Sequence, residues 1–200
     1  MNPYKSCDIS KKLKIGIEFF VPIYRDNLYK LKLFRKEFNI KIKTEFRDYI
    51  VSTQLIDFYD YNLINNILKF YNNLGLVGYY NKPVHIHFLY INDKMKYNAT
   101  HVSMNGYYII NYLTIVQELI NNDLFGRNFD DSCMKFKKLQ DRLPLRLTSY
   151  SGKHWVNFTE TTLEFRLPLF IDCNQMMNVV NKCSKIYDSL VNLLSKDYNT

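Results

Sequence analysis

Glycine and tryptophan are scarce in this chain: its 200 residues hold 6 Gly and 1 Trp. Asn, Lys, Ile, Tyr and Phe are abundant instead. That bias matches AT-rich coding and points to a virus, phage, organelle or parasite as the source; it says nothing about activity. No Pro/Gly/Ser-rich linker, internal repeat or low-complexity tract interrupts the chain. A string of separate modules is therefore not expected. A disordered chain is not expected either, because 16% of the residues are aromatic. This length is enough to bury one sizeable core, so residues 1–200 read as a single domain.

Cysteine is sparse as well. Cys7, Cys133, Cys173 and Cys183 form no C-x-x-C pair, and none lies near a histidine at zinc-finger spacing. They read as reduced thiols of an intracellular protein, in host cytoplasm or an organelle matrix. No apolar run approaches the ~18–20 residues needed to cross a bilayer. No apolar stretch follows the N-terminal lysines either, so neither a signal peptide nor a membrane partner is expected. Acidic residues are outnumbered, 19 against 27 Lys+Arg, for a net charge of +8. The excess sits in residues 1–50, with 12 Lys+Arg against 6 Asp+Glu. Such a region is either a solvated lysine-rich face or a contact for nucleic acid or an assembly partner.

The hydrophobic pattern predicts a mixed α and β chain. Strands are expected over 13–20, 40–43 and 49–55. A helix is expected over 26–37, with Asp26 or Asn27 as its cap. A second helix opens at Asp60 and stops at Gly75, its apolar side running from Leu63 to Leu74 at helical spacing. Pro83 precedes another strand. Residues 92–106 read as a loop, because Asn92-Asp93 and Asn105-Gly106 are turn signals. A helix is expected from Tyr108 to Ile120, and a short one around Asp131–Leu139. Strands over 155–158 and 162–167 are joined by a turn at Thr159-Glu160. A last helix runs from Asn174 to about Ser195, with an apolar face from Met176 to Leu194.

Three of the strands carry unusual side chains. In a strand, neighbouring side chains point to opposite faces. Gly16 and Glu18 therefore share one face, and Ile15, Ile17 and Phe19 the other. His85 and His87 share a face opposite Val84, Ile86 and Phe88. Glu164 and Arg166 share a face opposite Leu163, Phe165 and Leu167. Each element has an ordinary reading. Glu18 suits a solvent face, or a carboxylate bound to something positive. His85 and His87 suit a chance H-x-H, or metal binding near neutral pH. Glu164 and Arg166 suit a simple charge pair, or an arginine on phosphate. Placed in one sheet, the three polar faces would form a common catalytic surface.

The ordered set Gly16-Ile17-Glu18, His85-Ile86-His87, Val156-Asn157 and Leu163-Glu164-Phe165-Arg166, before a final helix, resembles the amidoligase branch of the carboxylate–amine ligases. These are relatives of glutamine synthetase and glutamate–cysteine ligase. The matched segments span nearly the whole chain. The resemblance implies an α+β fold: a largely antiparallel, curved sheet of glutamine-synthetase type with helices on one face. It also implies ATP and divalent metal on the other face, and small-molecule or peptide carboxylate and amine substrates. A carboxylate would be phosphorylated by ATP, and an amine would displace the phosphate. On that basis Glu18, His85 and Glu164 would hold Mg²⁺, or Mn²⁺ given the imidazole. Arg166 would hold the transferred phosphate, Asn157 would contact the cofactor, and His87 would orient substrate beside the metal.

Two positions depart from the family pattern. Phe20 stands where an acidic residue is usual, and Tyr49-Ile50-Val51-Ser52 lacks the acid that often precedes V-S. Glu45 and Asp48 lie nearby. A member that keeps the fold without the chemistry fits these departures. Two other classes are in play. One is a basic, non-enzymatic component of a virion or organellar ribosome, although the chain shows no RNA-binding signature. The other is a rolling-circle-type nuclease built on His85-Ile86-His87, with Tyr107, Tyr108 or Tyr112 as nucleophile.

Overall fold

The computed structural model describes residues 13–76, 83–101, 105–120, 125, 129, 133–136, 147 and 153–195. Seven strands of these residues form one antiparallel sheet: β1 (Lys14–Pro22), β2 (Lys41–Glu45), β3 (Asp48–Ser52), β4 (Ile56–Asp57), β5 (Val84–Leu89), β6 (Val156–Phe158) and β7 (Thr162–Phe165). The order is β2-β3-β1-β5-β7-β6, with β4 also paired to β1. The three polar-faced strands are thus neighbours at its centre. Five helices complete the described part: α1 (Arg25–Phe38), α2 (Tyr61–Asn73), α3 (Asp93–Thr100), α4 (Asn105–Glu118) and α5 (Cys173–Ser195).

The apolar face of the sheet carries the core. Ile15, Ile17, Phe19 and Val21 of β1 are buried, as are Ile86 and Phe88 of β5 and Leu163 and Phe165 of β7. Helix α1 offers Leu31 and Phe34, and α2 offers Ile64, Ile67, Leu68 and Tyr71, one stripe of each helix. Phe19 stacks on Tyr71 with ring centroids 4.0 Å apart, and Phe34 lies 6.2 Å from Phe19. On α5, Tyr187 stacks on Phe88 at 4.9 Å, and its hydroxyl donates to the Leu89 carbonyl. Helices α3 and α4 pack against α5. Each of these large side chains contributes about 1.5–3 kcal/mol through burial. That burial holds the backbone behind the polar face.

Several local expectations need correction. Neither Asp26 nor Asn27 caps α1; the cap position is Tyr24, without a side-chain bond. Asn27 is buried and donates through Nδ2 to the Pro22 carbonyl, tying the helix to the end of β1. The strand expected over 49–55 ends at Ser52. There the Thr53 hydroxyl accepts from the Ile17 amide at 2.9 Å, taking the place of a backbone carbonyl. The loop expected over 92–106 is replaced by helix at residues 93–100 and again from 105; residues 102–104 lie outside the described residues. The side chain of Asn92 accepts from the Met95 amide at 2.7 Å and opens α3, while Asn105 and Gly106 begin α4. A turn-forming Asn is equally a helix cap, and the buried Met95 and Ala99 decide the matter. Residues 133–136 are not helical: Met134 bridges to His154. The rest of the helix expected over 131–139 lies outside the described residues.

The other boundaries follow the expectations. Asp60 caps α2 through the Leu63 amide at 3.0 Å, and Gly75 has the left-handed φ of 54° that a helix stop favours. No helix among the described residues is long and apolar enough to cross a membrane. Of the basic N-terminal quarter, Lys32, Arg35, Lys36, Lys41 and Lys43 are exposed; Lys5, Lys11 and Lys12 lie outside the described residues.

Candidate metal centre

Strand register brings the polar faces together. Glu18 lies directly opposite His85, and Gly16 opposite His87. His87 in turn lies opposite Glu164, which lies opposite Asn157. One ligand-type atom from each of Glu18, His85, His87 and Glu164 falls within 4.8 Å of all the others. His85 Nδ1 is 2.6 Å from Glu164 Oε1 and 3.3 Å from Glu18 Oε2. His87 Nε2 is 3.6 Å from Glu18 Oε2 and 4.0 Å from Glu164 Oε1. Donors held about 2.1 Å from one ion in a tetrahedron would lie about 3.4 Å apart, a value that the four separations of 2.6–4.0 Å bracket.

Neutral donors aim this group. The Ser52 hydroxyl donates to Glu18 Oε1 at 3.0 Å, and the Asn157 amide donates to Glu164 Oε2 at 2.6 Å. Each carboxylate thus has one oxygen anchored and the other turned inward. Nδ1 of His87 is 3.2 Å from the Thr162 hydroxyl, which directs Nε2 to the same point. Outer partners of this kind orient metal ligands and tune their basicity. The roles of Ser52 and Thr162 escaped the sequence reading. Thr162 shares the face of Glu164 by simple alternation, a usable signal. Ser52 entered the sequence reading only as the serine of the V-S pair; its contact with Glu18 comes from register.

Electrostatics follows from burial and crowding. The side chains of His85 and Glu164 are each 8% exposed, against 22% for Glu18 and 23% for His87, so the group opens on the Glu18–His87 side. Burial alone would raise both carboxyls. Contact with His85 and the charge of His87 outweigh it, with Asn157 assisting, and hold Glu164 at about 2. The same two imidazoles hold Glu18 well below the usual carboxylate range against its own burial. Burial would lower His85, but contact with Glu164 and then Glu18 raises it. A proton on His85 and a metal ion are alternative positive partners for these two carboxylates.

The donor set fits a divalent transition ion. Nδ1 of His85 is buried and makes no hydrogen bond of acceptable angle, even though a carboxylate oxygen lies 2.6 Å away. Two nitrogens with two carboxylate oxygens suit Mn²⁺ or Zn²⁺ better than Mg²⁺, which prefers an all-oxygen shell. His87, expected beside the metal, offers a ligand-type atom within 4.8 Å of those of Glu18, His85 and Glu164.

A pocket of about 280 Å³ opens beside the group. Arg166 lines it next to Glu164, its Nε 3.6 Å from Glu164 Oε1. Phe20 lines it too, with its ring 4.6 Å from that of His85. Gly16 needs no left-handed backbone, and a Cβ there would meet only Leu55 at 3.6 Å and His87 Cβ at 3.7 Å. Asn157, expected on the cofactor, is bonded to Glu164. Tyr107, Tyr108 and Tyr112 on α4 do not line the pocket. No protein-family model, curated protein or solved structure matches this chain.

Proposed function

We propose that this protein is a divalent-metal enzyme that joins a carboxylate to an amine using ATP, as the amidoligase branch does. The observation that carries the reading is the convergence of Glu18, His85, His87 and Glu164 within 4.8 Å on the polar face of an antiparallel sheet. Helices on the opposite face, and Arg166 in the adjoining pocket, add support. When bound, the ion neutralises charge on phosphate oxygens.

The chain's own residues do the rest. Glu18 and His87, on the open side, hold the ion where substrate can reach it. His85 and Glu164 fix it from the buried side, and Ser52, Asn157 and Thr162 keep the four ligands aimed. Arg166 presents a guanidinium fork to the phosphoryl group as it passes from ATP to the carboxylate. Phe20 takes the place of the family's second acid and lies against His85, so the reading is of a single ion, with Arg166 as the second positive charge. The amine then attacks the acyl phosphate and inorganic phosphate leaves.

The test is ADP release by purified protein with Mn²⁺ or Mg²⁺ and a panel of carboxylates and amines. ADP formation that requires metal, carboxylate and amine together supports the ligase. No ADP under any combination, with metal bound, sinks the ligase and leaves a metal-binding protein on this fold.

A further inference from the structure

The basic excess near the start of the chain has a place in the fold that the metal centre does not use. Helix α1 buries Asn27, Leu31 and Phe34. At about 100° per residue, the side opposite that stripe holds Arg25, Tyr29, Lys32, Leu33 and Lys36. All five are exposed, Tyr29 by 67% and Leu33 by 45%. The ridge carries three cations and no carboxylate; Asp26 and Glu37 lie on its flank. From Arg25 to Lys36 it runs about 17 Å, with Tyr29 between Arg25 and Lys32.

Helix and core account for little of this ridge. Arg25 is the first residue of α1, where a positive charge opposes the helix dipole. Only Lys36, in the last turn, is favoured by that dipole. Lys32 and Lys36 are four residues apart, a spacing at which like charges on a helix repel. None of the three cations pairs with a carboxylate among the described residues; those ion pairs lie in the ligand group and between Lys135 and Glu118. Lys30 differs: it sits off the ridge and donates to the Gly75 carbonyl, tying α1 to the end of α2.

We infer that the outer ridge of α1 binds single-stranded nucleic acid, with Arg25, Lys32 and Lys36 on phosphates and a base stacked on Tyr29. A row of cations without an acid complements a polyanion. An exposed ring among them suits an unpaired base, whose face a duplex does not offer. A membrane fits less well, because the apolar stripe that would enter lipid is committed to the core. A protein partner also fits less well, because the centre of a protein interface is depleted in charge. The inference does not depend on the metal centre.

The experiment is fluorescence anisotropy of a labelled oligo-thymidylate with the full chain in EDTA. Affinity should fall about 20-fold between about 50 and 200 mM salt, the dependence that three phosphate contacts give on a single strand. In Arg25→Gln/Lys32→Gln/Lys36→Gln that salt dependence should flatten, and low-salt affinity should drop by at least about 20-fold. Lys43→Gln/Lys182→Gln/Lys185→Gln removes the same charge from lysines exposed elsewhere and should bind close to wild type. Tyr29→Ala should bind about fivefold or more weakly, the effect of losing one stacked base. No binding by the wild type, equal loss in the two triple variants, full affinity in Tyr29→Ala, or tighter binding to phosphatidylserine vesicles or poly-glutamate overturns the inference. Circular dichroism checks the fold of each variant.

Discussion

Glu164 sits directly across from His87 in the β5–β7 pair, yet its Oε1 lies 2.6 Å from Nδ1 of His85 and 4.0 Å from Nε2 of His87. The carboxylate leans along the strand, away from its paired neighbour and toward the buried imidazole. The Asn157 amide holds its other oxygen in that pose. Glu18 reaches His85 from the opposite strand, so a single histidine is shared between two carboxylates. A like-charged pair so close and so buried needs a positive partner between its members.

Glu18→Gln removes the more exposed carboxylate ligand and keeps the shape. Mn²⁺ affinity, read by calorimetry, should fall by about 10²-fold or more, since loss of a merely supporting group already costs 10–100-fold. The circular dichroism spectrum should not change.

Ser52→Ala and Asn157→Leu leave all four ligands in place but free one carboxylate each. Each should weaken Mn²⁺ binding about 10- to 100-fold. An affinity equal to wild type would mean that these bonds are ornaments of the sheet and do not aim ligands.

The pH dependence has a defined sign. The lowered carboxyl groups of Glu18 and Glu164 add stability that is complete above their ordinary 4.5 and is lost as pH falls toward the folded value, about 2 for Glu164. The raised His85 adds stability that is complete below 6.5 and is lost as pH rises through its higher folded value. In EDTA, thermal stability should therefore peak between about pH 4.5 and 6.5. Ion binding must displace the His85 proton, so Mn²⁺ affinity should rise with pH up to the raised folded value of His85 and level off above it, with proton release seen in buffers of different ionisation enthalpy.

Arg166→Lys keeps a positive charge and loses the planar fork. If Arg166 acts on the transferring phosphoryl group, kcat for ADP formation should fall on the order of 10²-fold with little change in nucleotide affinity. A proportional loss of affinity would instead assign Arg166 to ground-state binding.

Gly16→Ala should fold and melt at or slightly above the wild-type temperature. The added methyl meets only ordinary contacts, at 3.6 and 3.7 Å, and the unfolded chain loses freedom worth about 0.4–1 kcal/mol. A marked drop in Tm would show that the glycine serves the backbone. A drop in Mn²⁺ affinity alone would place its role in the space beside His87.

What the sequence determined by itself was the two-sidedness of the strands. Alternation is a property of the extended chain, so Glu18, His85, His87, Glu164 and Arg166 could be assigned to polar faces without knowing their neighbours. The helix ending near Ser195 was equally legible, because its apolar stripe repeats over 23 residues. Local signals failed where one residue type serves two purposes: Asn92 reads as a turn but caps α3, and the packing of Met95 and Ala99 settles which.

The tertiary structure alone decided strand order and register. Those place Ser52 beside Glu18, bring Asn157 to Glu164, and turn two separate histidines into one ligand group. The β2–β3 turn likewise brings Glu45 and Asp48 to one end of a pocket that Arg166, more than a hundred residues away, closes at the other. Register depends on cross-strand hydrogen bonds and on the fit of Phe19 and Phe88 against Tyr71 and Tyr187 of the helices. These are long-range contacts, and no window of neighbouring residues encodes them.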